Sequence, residues 1–178
     1  MDKTMNRIKY VVFFFSLVIG SQTFGDTETS YIVGNKQFLS IKDVNRQAEA
    51  WGTCSAAYDV MAMVLGESNP AQSNQYKDLG NGASLAVVMS HVADGLSQDM
   101  DPERFNSLWN YSKTLADSIP ETKTTMILAD AESLGDSGTE KFITKLAETV
   151  KICMANLEGQ QTHIDTWREL AKSGLLEI

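Results

Sequence analysis

Residues 50–66 read AWGTCSAAYDVMAMVLG, with Asp59 as the sole formal charge in the stretch. Ile41, Val44, Ala48, Trp51, Ser55, Tyr58, Ala62 and Leu65 alternate spacings of three and four, the period of a helix. A second line, Gln47, Trp51, Cys54, Tyr58, Met61 and Leu65, runs beside the first. The apolar face is therefore wide from Ala50 onward, as expected of a helix buried on more than one side. Ser40 is the expected cap with Asp43 three residues on, Gly66 the expected stop, and Asn69-Pro70 the expected turn.

The same reading extends along the chain. A second helix is expected from about Ala71 to Leu96, with a seam of Leu85, Met89, Val92 and Leu96. Its Leu79–Ala93 portion (LGNGASLAVVMSHVA) carries no formal charge and should be central, although Gly80-Asn81-Gly82 could break it. Asp101-Pro102-Glu103 opens a third helix as cap, N1 proline and first-turn acid. Pro120 either kinks that helix or begins another. Ser137-Gly138-Thr139-Glu140 has the spacing of a capping box. Beyond it Ile143, Leu146, Val150, Cys153, Leu157, Gln160, Ile164, Trp167 and Ala171 keep one helical register. The expected architecture is all-α: an antiparallel bundle of four to five helices over residues 40–178, preceded by an arm or hairpin over residues 26–39.

Residues 1–25 have the layout of a secretory signal peptide. Lys3, Arg7 and Lys9 precede an apolar run from Tyr10 to Gly20, and Thr23 and Gly25 offer small side chains for cleavage. The run is too short for a comfortable membrane span, so no stable membrane insertion is expected. The expected location is outside the cytoplasm, in the bacterial periplasm. In an oxidising compartment, two cysteines imply one disulfide, Cys54–Cys153, joining the buried faces of the first and last helical regions. Zinc needs roughly four ligands, and neither cysteine has a second Cys or His close by.

The full chain carries a formal charge of −8. Loss of residues 1–25 makes it more acidic still, because three bases leave with one acid. Such a charge disfavours nucleic acid and suits a basic protein partner. No nucleophile elbow, zincin, EF-hand or phosphate-loop pattern is present, and no catalytic or metal-binding residue is expected. The leading expectation is a non-catalytic exported protein acting by protein–protein contact, of the inhibitor or immunity type, with no cofactor. Its acidic candidates are Asp99, Asp101 and Glu103, and Asp130, Glu132 and Asp136. The alternative is a haem- or metal-binding bundle, with Met61 or Met63 paired with His163. Candidate ligand-binding residues are Tyr58, Asp59, Met61 and His163, Asp59 because a charge beside a buried face needs a partner or water. His163 is expected at the rim, in the polar run EGQQTH, and His91 away from the seam of the second helix.

Overall fold

The computed structural model describes residues 29–34, 37–96 and 100–176. The expected signal peptide and Asp99 lie outside these residues. Among them the chain forms five α-helices: α1 (Val44–Leu65), α2 (Pro70–Gly95), α3 (Pro102–Leu134), α4 (Thr139–Met154) and α5 (Leu157–Lys172). Short 3-10 turns at Phe38–Ser40 and Asp136–Gly138 precede α1 and α4. The protein is an all-helical bundle with an N-terminal arm.

α1 is the centre of the bundle, and from Ala50 to Ala62 only Asp59 is not buried. α2 runs antiparallel to it. Ser55 Oγ lies 2.8 Å from Ser84 Oγ, and further along α1 the Ser73 hydroxyl donates to the Ala62 carbonyl, also at 2.8 Å. α3 lies antiparallel to the end of α2, with Leu108 against Gly95 and Tyr111 against His91. Further along, α3 crosses α1 at Gly52, where an added Cβ would overlap the Ile119 side chain. α4 is fastened to α1 by the Cys54–Cys153 disulfide, whose Cα atoms are 5.5 Å apart. α5 covers α1 and α2, with Gln160 Nε2 donating to the Leu79 carbonyl.

Several boundaries differ from expectation. Asp43, not Ser40, caps α1: its carboxylate accepts from the backbone N–H groups of Asn45 and Arg46. Ser40 ends the preceding 3-10 turn and donates its hydroxyl to the Gln37 carbonyl instead. Asn69 and Pro70 are the cap and first residue of α2, which passes through Gly80-Asn81-Gly82 without a break. Those glycines are used for close approach, since a Cβ on Gly82 would overlap the Gln160 amide. Pro120 sits inside one continuous α3. The loss of its N–H is offset where Ile119 and Pro120 pack against Gly52. The expected capping box before α4 is replaced by Gly138, which makes no side-chain cap.

The last helical region is two helices, not one. The division falls at Ala155-Asn156, not at Gly159. Asn156 accounts for it. Its Nδ2 donates to the Ile152 carbonyl at the end of α4, and its Oδ1 accepts from the Phe38 N–H at 2.8 Å. One buried amide thus ends α4 and holds the arm's turn.

Candidate functional site

The sequence-derived candidates fall into separate places. Tyr58 is fully buried on α1, with its hydroxyl lacking a hydrogen-bond partner and its ring 6.0 Å from Tyr76. Burial, and then the neighbouring Tyr76, push the Tyr58 phenol well above its ordinary value. Asp59 beside it faces α2, where a Cβ on Gly80 would come within 3.0 Å of its carboxylate. Asp59 has no ion pair or hydrogen bond among the described residues, and burial raises its carboxyl above the usual range. Tyr58 and Asp59 are therefore neighbours on α1, the first buried with its hydroxyl unpaired and the second facing α2.

His163 is not at the rim. It is 7 % exposed and packs edge-on against Trp51, ring centroids 5.8 Å apart. The buried line runs Cys153, Asn156, Gln160 and His163, one position off the expected one, and Leu157 and Ile164 of the expected seam are only half-buried. Burial lowers the His163 imidazole to about 4. Trp51 Nε1, Gln160 Oε1 and His163 Nε2 are all buried without partners. Met61, 7 % exposed, lies ten residues beyond Trp51 on α1, about 15 Å by helical rise, so it is not brought to His163. Met63 is exposed. Among the described residues no group of three or more His, Cys, Asp or Glu side chains could hold a metal ion.

A cleft of about 340 Å³ opens at the other side of the bundle, where the start of α1, the end of α2 and the middle of α3 meet. Asn45 and Glu49 line it from α1 and His91 from α2. Leu115, Ile119 and Lys123 line it from one face of α3, with the Ser118 and Thr122 hydroxyls between them. His91 was expected to point away from its helix's seam, yet it is 7 % exposed. α2 is enclosed by α3 as well as by α1, so every residue from Ala86 to Val92 is buried. The His91 Nε2 has no partner. Burial lowers its imidazole, against an opposing pull from Asp94. Lys123 Nζ stands 3.6 Å from Glu49 Oε2, an ion pair spanning α3 and α1. The signal for His91 was in the sequence: it is the one titratable side chain in the uncharged run from Leu79 to Ala93. Glu49 and Lys123 carried no such mark.

On the surface, Arg46, Lys151, Arg168 and Lys172 each pair with an acid three residues away on the same stretch of chain. Of the acidic candidates, Asp101 caps α3 and Asp130 is held by Lys145 and by the Tyr31 hydroxyl. Glu103 and Glu132 are exposed and form no ion pair among the described residues. No described helix is long and apolar enough to cross a membrane. Comparison of the chain with protein-family models, with characterised proteins and with solved structures finds no match.

Proposed function

We propose that this protein is an exported, non-catalytic helical bundle that acts by binding a basic protein, in the manner of an inhibitor or immunity protein. The observation that carries the reading is the distribution of charge. The chain carries −8, and four of its exposed bases are neutralised locally by acids on their own stretch of chain. Local pairs of this kind contribute little to stability. They cancel base and acid alike in the outer field, so its sign follows the net excess of acids, Glu103 and Glu132 among them. A negative field attracts a basic partner and raises its association rate. Export is supported by the basic and apolar layout of residues 1–25 together with the Cys54–Cys153 bridge.

The test is the association kinetics of the oxidised protein with a partner cross-linked to it in envelope extract and then purified. Glu103→Gln with Glu132→Gln should slow association several-fold at low ionic strength, and the difference should vanish in high salt. The melting temperature should change by only a few degrees, because neither side chain is buried and the charge of Glu103 in the first turn of α3 contributes about 0.3–1 kcal/mol. Equal rates for the variant and the parent protein at low salt would overturn the proposal.

A further inference from the structure

Residues 157–176 are held on the bundle by a different kind of contact from the rest of the chain. α1 to α4 are docked by enclosed apolar side chains and, at Cys153, by a covalent bond. Across residues 157–176 only Gln160, His163 and Leu176 are buried, and two of the three are polar. Leu157, Ile164, Trp167 and Leu170 are half-covered and add to the contact without being enclosed. The polar part is poorly paired. Gln160 donates one N–H to the Leu79 carbonyl at 3.3 Å, while its Oε1, the Trp51 Nε1 and the His163 Nε2 are enclosed without partners. Enclosed polar groups of that kind weaken the interface they sit in. The helix is also interrupted at Ala155-Asn156, just beyond the cysteine that anchors α4.

A proton on His163 would stand in this contact with nothing to balance it. From α1 the ring that meets it is Trp51. α2 presents Leu79 and Gly82 to Gln160, one turn away, and the arm presents Phe38 to Trp51 and Leu39 to Gly159. None of these carries a charge. On α5 itself Asp165 is bound to Gln161 and Arg168, and Glu158 is exposed. Burial alone lowers the imidazole. A charged His163 can regain water by unfolding of the whole bundle or by departure of α5. Departure breaks few enclosed contacts and leaves both the bridge and the packing of α1 against α2 and α3 intact. We propose that residues 157–176 form an acid-released flap: protonation of His163 frees them to swing away about Ala155-Asn156, uncovering Trp51 and Leu79, while the Cys54–Cys153 bridge keeps α4 in place. The proposed charge-steered association neither needs this movement nor is tested by it.

The test is native-state amide exchange of the full oxidised protein, followed by NMR as protection factors at pH 7 and pH 4, with and without low urea. The α5 amides should be roughly tenfold or more less protected than those of α1, and their protection should depend little on urea, the mark of a partial opening. With the imidazole at about 4 in the closed form and 6.5 in the released one, α5 protection should fall by about a hundredfold between pH 7 and pH 4. In His163→Phe, which keeps a ring against Trp51 but takes up no proton, the fall should be less than about threefold. His163→Gln, also uncharged over this range, gives the same comparison if the larger ring alters the melting temperature. The proposal is overturned if α5 and α1 share one protection and one urea dependence, because α5 would then leave only with the whole bundle. It is equally overturned if the fall between pH 7 and pH 4 is as large in both His163 variants as in the parent protein.

Discussion

Protonating His163 places a positive charge beside Trp51, in the contact between α1 and α5, where no carboxylate pairs with it among the described residues. Burial holds its imidazole at about 4 in the folded protein, against an ordinary value of 6.5. The unfolded chain therefore takes up a proton at a higher pH than the folded one does. Stability is fully present above pH 6.5 and is lost as the pH falls from there toward 4, by about 3 kcal/mol in all. Asp59 works in the opposite sense: its raised carboxyl binds a proton sooner in the folded state, so falling pH favours folding there. That gain begins above the usual carboxylate range, as the pH falls through the raised value, so it offsets part of the histidine loss. Urea unfolding between pH 7 and 4 should show the loss in the parent protein, and His163→Phe should remove the larger part of it, leaving the share of His91, whose imidazole burial also lowers. A parent profile flat over that range would show that His163 is not held neutral by its surroundings. The sequence marked Asp59 by its isolation among apolar residues, and the structure leaves it without a partner. It did not mark His163, because the apolar side chains Leu157 and Ile164 drew the expected line one position away from the buried one, which runs through the polar Asn156, Gln160 and His163.

The elements whose sequence patterns were strongest were the ones legible in advance. The wide apolar face of α1, the proline-capped start of α3 and the inward-facing cysteines follow from local spacing, and local spacing survives in the fold. The differences have mixed causes: the change of cap from Ser40 to Asp43 is local, while others lie at contacts with distant parts of the chain. Pro120, inside α3, lies where Gly52 admits the helix closely, and α5 begins where Asn156 binds the arm. The arm itself is the clearest case. Tyr31 donates its N–H to Thr149 Oγ1 of α4 at 2.9 Å and its hydroxyl to Asp130 of α3 at 2.6 Å, while Lys145 pairs with the same carboxylate and lies 4.2 Å from the Tyr31 ring centre. The Tyr31 hydroxyl, more than any other group, holds the Asp130 carboxyl below its ordinary range. Asp130, an acid that resembles a free surface charge in the sequence, is therefore the clasp of the arm. Hydrogen bonds to a charged group contribute about 1.5–3 kcal/mol. Asp130→Asn should accordingly speed amide exchange at Tyr31 and Ile32 by roughly tenfold or more, with α1 and α2 protected as before. Unaltered exchange at those amides would mean that Thr149 and the burial of Ile32 suffice to hold the arm.

At the scale of the whole molecule, the Cys54–Cys153 bridge joins the central helix to α4 across a sequence separation of 99 residues. Both cysteines are almost wholly inaccessible to solvent, packed in the same core as Trp51, Tyr58 and Phe142. The bridge therefore adds little contact that two buried thiols would not keep, and its main effect falls on the unfolded chain. In the chain-entropy account, closing a loop of that length stabilises the fold by about 4–5 kcal/mol. For a chain of this size each kcal/mol moves the melting temperature by roughly 2–4 °C, so reduction should lower it by about 10 °C or more. The unfolded state without the bridge is more expanded and exposes more surface, so the denaturant slope should rise at the same time. Helical content at 25 °C should be preserved, since the packing of α1 against α2 and α3 does not pass through the sulfurs. Urea and thermal unfolding of the protein, oxidised and after reduction and alkylation in denaturant followed by refolding, measure the quantities together. Alkyl groups on buried sulfurs would add strain, so the Cys54→Ala, Cys153→Ala double variant serves as the second arm: it lowers the melting temperature through the lost bridge and a small cavity, but only the lost bridge raises the slope. A fall in melting temperature with an unchanged slope in the double variant would place the bridge's effect in the native core. A rise in slope places it in the unfolded chain, and the bridge then acts as the long-range tie that keeps α4 and α5 on the bundle.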